Sequence, residues 1–297
     1  MLSFHDIKDR SPRWAKDTSN IVTRRYALAT VSRRTRPDFL VIGTKRGGTT
    51  SLFNYLMMHE GILGLFPQSR GRKSSDYFFK NITKGEAWYR SHFHTQSYRD
   101  RLASRLGYAP VAGEASPYYM WDPRVAAAAY RVNPHLKAVA LLRDPVQRAW
   151  SHYQERVANG VEPLSFMDAL DAEGARTDGE LERMAADPSY YSEPHDWYTY
   201  RARGVYLPQL HNWRSVFPRD QLLVLRSEDL YADVQGTFET ICSFVGVPPV
   251  ALPTTRTFGA GKRDPMPEQA RRVLEDFYRE HNGRLADYLD RELGWSS

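Results

Sequence analysis

Short apolar runs along the chain are followed by segments in which apolar residues recur at helical intervals. Residues 38–42, Lys137–Leu142 and residues 221–225 are apolar runs of five or six positions. Runs of this length that do not alternate with polar residues predict strands buried on both faces of a parallel sheet. A helix is predicted over residues 49–58, with a threonine near its N-cap, and another begins at Pro145, which suits a first helical turn. Each of the first two strands therefore leads into a helix.

The C-terminal third continues this alternation. The spacing predicts an amphipathic helix over residues 229–244 and two closing helices over residues 267–282 and 283–293. Strands that alternate with helices predict the α/β class, here a three-layer α/β/α arrangement with a central parallel sheet that binds ligands at the carboxyl ends of its strands. Residues 61–86 and 160–203 interrupt the alternation and are long for simple connections, so they are candidates for acceptor-binding loops.

Composition narrows the class of protein. The 297 residues are 41% hydrophobic and 26% charged, which is typical of a globular protein that buries a sizeable core. The sequence has no run of eighteen apolar residues and no apolar stretch near its start, so we expect neither a membrane-spanning helix nor a signal peptide. One cysteine, Cys242, cannot form an internal disulfide, which favours a reducing compartment, and the cytoplasm is the expected location.

The net charge of +6 is confined to the first 36 residues. Nine lysines and arginines and three aspartates lie there, which leaves 32 basic and 32 acidic residues in the rest of the chain. We therefore predict a basic, solvated N-terminal appendage over residues 1–36 and a single domain over residues 37–297. The neutral body does not indicate a nucleic-acid-binding fold, and binding of an acidic partner by the basic arm is the less favoured interpretation.

The loop after the first strand has the composition of an anion site. Residues 43–51 read Gly-Thr-Lys-Arg-Gly-Gly-Thr-Thr-Ser and lead directly into the helix. Glycines let backbone N–H groups approach an anion, the helix N-terminus offers free donors, and Lys45 adds a positive charge. The nucleoside-triphosphate loop places its lysine directly before Ser or Thr, whereas Lys45 comes early in this loop. A Mg-ATP-dependent small-molecule kinase is therefore only an alternative interpretation.

A second group of anion-binding residues follows the second predicted strand. Residues 143–153 read Arg-Asp-Pro-Val-Gln-Arg-Ala-Trp-Ser-His-Tyr. Arg143 lies at the carboxyl end of the strand, where its guanidinium can hold a phosphate through two hydrogen bonds, and Ser151 lies two turns into the helix on the facing side. Two anion sites at neighbouring strand ends predict a ligand with two separated phosphates.

Together these two segments resemble the loops that bind 3′-phosphoadenosine-5′-phosphosulfate (PAPS) in the sulfotransferase superfamily. The likeness is greatest to the heparan-sulfate-type branch and its bacterial relatives, and it extends from about Pro37 to Trp295. It includes Gly-Glu-Ala-Ser-Pro-Tyr at residues 113–118, Gly-Val-Tyr at 204–206 and Gly-Lys-Arg at 261–263. The resemblance implies a P-loop-like sulfotransferase fold and an enzyme that transfers a sulfuryl group from PAPS without a metal and releases 3′-phosphoadenosine-5′-phosphate (PAP).

The resemblance also implies a role for each residue of the two loops. Lys45 would contact the phosphosulfate and stabilise charge on the bridging oxygen as the bond to sulfur breaks. Arg143 and Ser151 would hold the 3′-phosphate, and Lys262 would close over it with Arg263 beside it. The residues implied to cradle the 5′-phosphate are Arg46, Gly47, Gly48, Thr49 and Thr50.

The base that removes the proton from the acceptor hydroxyl is harder to place. Members of the heparan-sulfate-type branch carry a glutamate in a Lys-Glu-x-x-Phe-Phe segment, and alignment of the phenylalanines puts Ser75 at that position. Asp76, the next residue, is our first candidate for the base and Glu114 the second, although a buried structural role suits Glu114 better. His92 and His94 are further candidates, but histidines among aromatic residues are more often structural.

The acceptor side departs from the family pattern at a second position. Where the family often has Glu-Lys-Ser/Thr-Pro, this chain has Ala115 in place of the lysine. Residues 188–201 hold four tyrosines and a tryptophan. We expect most of these rings to cover the core and one or two to contact the acceptor.

The charge of the chain bears on the class of acceptor. Arg201, Arg203 and residues 70–73 could attract an anionic acceptor, but the neutral body favours a small molecule or carbohydrate. A non-catalytic PAP-binding protein is the other alternative, and the oligomeric state is left open.

Overall fold

A parallel sheet lies at the centre of the structure. The computed structural model describes residues 13–67, 71–258 and 264–295, with side chains from residue 21 onward. The strands are β1 (Phe39–Val41), β2 (Ile62–Leu63), β3 (Val111–Ala115), β4 (Lys137–Leu142) and β5 (Leu222–Arg226). Their order across the sheet is β2-β3-β1-β4-β5, and all neighbours are parallel. The three predicted strands are confirmed as β1, β4 and β5, whereas β2 and β3 were not predicted as strands.

The central position of β1 brings three strand ends together. Val41, the last residue of β1, is in register with Ala115 of β3 on one side and with Val139 of β4 on the other. The chain that leaves β1 therefore emerges between the segments that follow β3 and β4. This is the edge of the sheet where a parallel α/β fold binds its ligands.

Helices cover both faces of the sheet. In chain order they are α1 (Arg13–Ala29), α2 (Thr49–Leu56), α3 (Tyr77–Lys80), α4 (Gly85–Arg90), α5 (Gln96–Leu106), α6 (Val125–Val132) and α7 (Pro145–Ala158). They continue with α8 (Phe166–Thr177), α9 (Glu180–Ala186), α10 (Glu193–Trp197), α11 (Tyr206–Arg214), α12 (Ser227–Ala232), α13 (Val234–Val245) and α14 (Glu268–Leu289). Among the described helices, none combines the length and apolar character needed to span a membrane.

Two apolar clusters, one on each face of the sheet, form most of the core. Phe39 and Val41 of β1 pack with the apolar sides of α2 and α13, whereas Leu40, between them, packs with α6 and α11. Successive residues of a strand point to opposite faces, so this short run of consecutive apolar residues serves both clusters. The predicted three-layer α/β/α architecture with a central parallel sheet is confirmed.

Two predictions about the C-terminal helices are wrong. The two closing helices are one helix, α14, because its buried stripe of Ala270, Leu274, Tyr278 and Leu285 continues past Gly283. A glycine inside a helix costs about 1 kcal/mol relative to alanine, which this burial outweighs.

The predicted helix over residues 229–244 is instead divided between α12 and α13. The side chain of Asp233 accepts a hydrogen bond from the N–H of Gly236 at 2.8 Å and caps α13. An aspartate with this capping geometry favours a helix start over a helix interior.

The described part of the N-terminal appendage is attached to the body of the protein, although many of its side chains are exposed. Arg24, on α1, donates hydrogen bonds to the carbonyl oxygens of Ser91 and Phe66 at 2.8 and 3.0 Å. Arg34 is buried and donates to the carbonyl oxygen of Phe93. These attachments are polar contacts between guanidinium groups and backbone carbonyls, so the spacing of apolar residues did not reveal them. The boundary at residue 36 remains a prediction.

The single long helix can be tested at Gly283, which is exposed and has no atom near the position of an added Cβ. We expect Gly283→Ala to raise the free energy of unfolding by about 1 kcal/mol in urea denaturation, because alanine favours the helix. Gly43→Ala is the contrasting variant, because its Cβ would lie 2.6 Å from the backbone N and O of Leu141. It should lower the free energy by about 1–3 kcal/mol. Destabilisation by Gly283→Ala would favour a helix boundary there.

Candidate active site

The loop between β1 and α2 lies directly against strand β4. The N–H of Thr44 donates to the carbonyl oxygen of Leu141 at 2.9 Å, and the N–H of Gly47 donates to that of Thr44 at 3.0 Å. Gly48 is the N-cap of α2 and has a φ of 88°, which glycine adopts without strain. Thr49 and Thr50 begin α2, so their backbone N–H groups have no partners within the helix and suit an anion.

Arg46 joins the two predicted phosphate loops. Its carbonyl oxygen accepts a hydrogen bond from Nη1 of Arg143 at 2.9 Å. Its own Nε donates to Oγ of Ser151 at 3.0 Å. The backbone of Arg46 has a φ of 68°, an uncommon value for a residue with a side chain. The structure therefore brings together three side chains that the sequence assigned to one ligand.

These residues surround a cavity of about 770 Å³, a volume in the range of ligand sites. Of the predicted donor-site residues, Lys45, Arg46, Gly48, Thr49, Thr50 and Arg143 line it. Gly47 and Ser151 lie behind this lining, where Gly47 accepts a hydrogen bond from the hydroxyl of Ser227 and Ser151 contacts Arg46. The wall is rich in cations and hydroxyl groups, which suits an anionic ligand.

Lys45 reaches the same cavity in a partly desolvated position. Its Nζ lies 3.6 Å from Oε2 of Glu155 and 3.9 Å from Oδ1 of Asp196. Burial lowers the pKa of Lys45 to about 8, against the attraction of these two carboxylates, which raises it. The ammonium is therefore largely protonated at neutral pH, and the pKa lies close enough to this range to be titrated.

Asp196 connects Lys45 to the aromatic segment over residues 188–201. Its carboxylate accepts hydrogen bonds from the hydroxyl of Tyr191 at 2.7 Å and from Nη1 of Arg203 at 3.2 Å. Arg203 is 1% exposed, so the expectation that it attracts an anionic acceptor is wrong for the described conformation. Tyr200 is also fully buried, which agrees with the expectation that this segment mainly covers the core.

Glu114 is fully buried in the core. Its carboxylate accepts hydrogen bonds from the N–H and hydroxyl of Ser75 at 2.5 and 3.0 Å and from the hydroxyls of Tyr89 and Tyr119 at 2.8 and 2.9 Å. Burial raises the pKa of Glu114, and these hydrogen bonds oppose the rise. The residue has no exposed surface and so cannot meet an acceptor in this conformation. The structural interpretation is therefore the one that the geometry supports.

The other predicted bases are also poorly placed in this conformation. Asp76 has a φ of 55° and accepts a hydrogen bond from the hydroxyl of Ser74 at 2.6 Å, and it is not among the residues that line the cavity. His92 and His94 are buried, and desolvation lowers their pKa values to about 3 and about 4. Neutral, buried imidazoles of this kind fit a packing role.

The cavity wall also contains residues that the sequence did not assign to the donor site. Lys73, which the sequence placed among the residues that could attract an acceptor, donates from Nζ to Oγ1 of Thr50 at 2.9 Å. Ser227 and Glu228 follow β5 directly, so the rule that ligands bind at carboxyl ends of strands could have found them. The wall also includes Glu155, Tyr231, Thr257 and Phe258. Of these, Glu155 lies four residues after Ser151 and so on the same face of α7, whereas Thr257 and Phe258 carry no local signal.

Lys262 and Arg263 lie outside the described residues, and their assignment remains a prediction. The chain on either side of them is anchored to α2 and α7. Oγ of Ser51 donates to the carbonyl oxygen of Phe258 at 2.9 Å, and Nε1 of Trp150 donates to that of Asp264 at 2.8 Å. Both flanks are therefore attached to the helices that follow the two phosphate loops.

A parallel α/β sheet with anion-binding loops after β1 and β4 defines a protein that binds a phosphorylated ligand. The Sulfotransferase domain model matches residues 36–284 of this chain. The chain therefore belongs to the sulfotransferase family. This match confirms the enzyme class that the sequence predicted and argues against the kinase interpretation.

Individual relatives agree with this assignment. A sulfotransferase structure from Alicyclobacillus acidocaldarius is 28% identical, with a TM-score of 0.64 over 87% of this chain and 98% of that chain. Human heparan sulfate glucosamine 3-O-sulfotransferase 6 is 25% identical over 89% of this chain and 75% of its own length. Membrane-associated sulfotransferase kil1 of Dictyostelium discoideum is 23% identical over 88% of this chain and 67% of kil1.

The chain spans about a third of another group of relatives. Human bifunctional heparan sulfate N-deacetylase/N-sulfotransferase 2 is 25% identical over 96% of this chain but only 33% of its own length. The likeness thus extends over nearly all of this chain and over one part of a larger protein.

The structural role of Glu114 leads to a stability prediction. We expect Glu114→Ala to lower the free energy of unfolding by about 3 kcal/mol or more, because it leaves buried donors of Ser75, Tyr89 and Tyr119 without an acceptor. Urea denaturation measures this. Glu60→Ala is the matched control, since its carboxylate is exposed and pairs with exposed Arg105. A change below about 0.5 kcal/mol is expected there. Equal effects of the two variants would contradict the role of Glu114.

Proposed function

We propose that this sulfotransferase transfers a sulfuryl group from PAPS to a hydroxyl group of a small molecule or carbohydrate. One observation carries the proposal: Arg46 connects the two anion-binding loops across a single cavity. A ligand with phosphates at both ends of a nucleoside matches this pair of loops. ATP carries its phosphates in one chain and would leave the second loop unused.

The two ends of the donor would be held by different loops. Arg143, with its guanidinium at the end of β4, and Ser151 on α7 would bind the 3′-phosphate. The backbone at the start of α2, with the hydroxyls of Thr49 and Thr50, would bind the 5′-phosphate. The phosphosulfate would then extend toward Lys45, where the reaction takes place.

Sulfuryl transfer by in-line displacement requires the protein to position the reactants and to stabilise negative charge, and it requires no covalent intermediate with the protein. In an in-line displacement, negative charge spreads over the equatorial oxygens and develops on the leaving bridging oxygen. A protonated Lys45 next to that oxygen stabilises the leaving group. Its partly desolvated position strengthens this interaction, because the attraction between opposite charges is larger where water is excluded.

The acceptor class is supported by the charge of the chain and by its relatives. Several relatives are named as heparan sulfate enzymes, which act on a carbohydrate. Residues 37–297 of this chain are neutral overall, and Arg203 is buried in an ion pair, so no broad basic face for a polyanion is assembled from it. A single sugar or another small hydroxylated molecule, used in the cytoplasm, is the acceptor we propose.

Donor binding can be tested by calorimetric titration with PAP. We expect metal-independent binding that Lys45→Ala and Arg143→Ala each weaken about 10- to 100-fold, because each removes a charge-assisted contact worth about 1.5–3 kcal/mol. Arg272→Ala is the control, since Arg272 is an exposed residue of α14 and should not change the affinity.

Titration with ATP, with and without Mg²⁺, provides the opposing result. Binding of ATP in preference to PAP, together with a requirement for Mg²⁺, would reject PAPS as donor and favour the kinase alternative. PAP binding that neither Lys45→Ala nor Arg143→Ala affects would place the donor outside this cavity.

The pKa of Lys45 predicts how PAP binding depends on pH. Binding requires the ammonium, so affinity should fall as the pH rises through about 8, where free Lys45 loses its proton. At that pH, binding should take up about half a proton, since the group is half protonated before the ligand arrives. Calorimetry in buffers of different ionisation enthalpy measures this uptake. Lys45→Arg should abolish both effects because arginine stays protonated. Unchanged pH dependence in that variant would assign the titration elsewhere.

A further inference from the structure

We propose that Glu155 is the general base of the sulfuryl transfer and removes the proton from the acceptor hydroxyl. The inference rests on the proposed function, since it assigns a role within the same reaction. It concerns a carboxylate that the sequence reasoning did not select. Three features of Glu155 support this role: its position in the cavity, the state of its oxygens and the charges around it.

Glu155 lies at the end of the cavity where Lys45 is found. It follows Ser151 by one helical turn on α7, so both residues point to the same side. Its Oε1 is 3.2 Å from Nη1 of Arg46, and its Oε2 is 3.6 Å from Nζ of Lys45. Lys45 would contact the phosphosulfate at its bridging oxygen, and the acceptor attacks the sulfur in line from the other side. In our proposal, the carboxylate of Glu155 lies within reach of that acceptor.

The second oxygen of Glu155 is buried between two cations, with Nζ of Lys45 at 3.6 Å and Nη2 of Arg156 at 3.4 Å. Within the described residues, Oε2 accepts no hydrogen bond. The carboxylates of Glu114 and Asp196 differ, because Glu114 accepts from three residues and Asp196 from Tyr191 and Arg203. Neither of these two is among the residues that line the cavity, whereas Glu155 is.

Glu228 is the other carboxylate in the cavity wall. Its Oε1 accepts a hydrogen bond from the N–H of Asp144 at 3.0 Å, and its charge acts on Arg143. Arg143 is assigned to the 3′-phosphate, whereas Glu155 lies beside Lys45, which is assigned to the phosphosulfate. Glu155 is therefore the lining carboxylate next to the reacting atoms.

Cations surround the carboxylate in the free protein. Lys45, Arg46 and Arg156 lie within 3.6 Å of it. A bound phosphosulfate would engage Lys45 and Arg46, so the donor and the proposed base would share the same two cations.

The reaction step balances without another reagent. The acceptor oxygen forms a bond to sulfur while its proton passes to the carboxylate of Glu155. The bond between sulfur and the bridging oxygen breaks, and its electron pair stays on that oxygen as PAP leaves. Glu155 then returns the proton to water, so the products are a sulfate ester, PAP and one proton.

This role also accounts for a departure from the family pattern. The position that carries a glutamate in the heparan-sulfate-type branch is Ser75, which is buried and donates to Glu114. A carboxylate at that position would face Glu114 in the core. Glu155 supplies a carboxylate from α7 instead.

The test is single-turnover cleavage of PAPS by excess protein, with water as the acceptor, followed as PAP formation. We expect Glu155→Gln to slow cleavage about 10²- to 10⁴-fold, the range for loss of a general base, while PAP affinity changes less than about threefold. Formate should restore part of the rate to Glu155→Ala, because it can take up the vacated carboxylate position. A purely structural role for Glu155 would not respond to formate.

Three further variants separate the possible outcomes. Glu193→Gln removes an exposed carboxylate of α10 and should leave the rate unchanged. Asp76→Asn and Asp196→Asn should slow cleavage less than Glu155→Gln and should not respond to formate. A normal rate in Glu155→Gln, a larger loss in Asp76→Asn, or a loss that only follows weakened PAP binding would each overturn the proposal. A wild-type protein that does not bind PAP would instead overturn the proposed function.

Discussion

The donor cavity depends on how closely the loop after β1 approaches the backbone of β4. Gly43 follows β1 at a point where an added Cβ would lie 2.6 Å from the backbone N and O of Leu141. A Cβ on Gly47 would lie 2.7 Å from the side chain of Thr44 and 3.0 Å from the same carbonyl oxygen of Leu141. This proximity sets the start of α2 and the direction in which the loop N–H groups point. It also places Arg46 within reach of Arg143, so that two loops distant in sequence form one wall.

A second constraint is the balance of charge around this wall. Lys45 and Arg46 point into a partly dry cavity, where like charges repel strongly and lose hydration. The carboxylates of Glu155 and Asp196 offset that repulsion, but they differ in how many hydrogen bonds they accept. Asp196 is fixed by Tyr191 and Arg203, whereas Glu155 keeps an oxygen without a hydrogen bond within the described residues. The same electrostatic requirement thus yields one carboxylate that holds Lys45 in place and one that lines the cavity and is our proposed base.

The parts of the fold and site that could be predicted from sequence are those with local signals. The strands that become β1 and β4, the glycines before α2 and Arg143 at a strand end all depend on neighbouring residues. The residues that were missed reach the cavity through tertiary contacts: Phe258 is 207 positions from its partner Ser51, and Asp196 meets Lys45 across the fold. The unbroken α14 and the attached α1 were missed for a related reason, because burial and polar docking overrode a glycine and a charge pattern.

The distances in sequence between these parts also bear on how the protein is made. Arg46 and Arg143 are 97 positions apart, and the hydroxyl of Ser227 contacts the carbonyl of Gly47 across 180 positions. During synthesis the apolar β1 emerges early and has to wait for β3 and β4 before its edges are paired. In a nascent chain β1 therefore lacks its second neighbour until Leu142, the last residue of β4, has been synthesised, and unpaired strand edges are prone to aggregation. The described wall of the donor cavity is complete only once Phe258 has been synthesised.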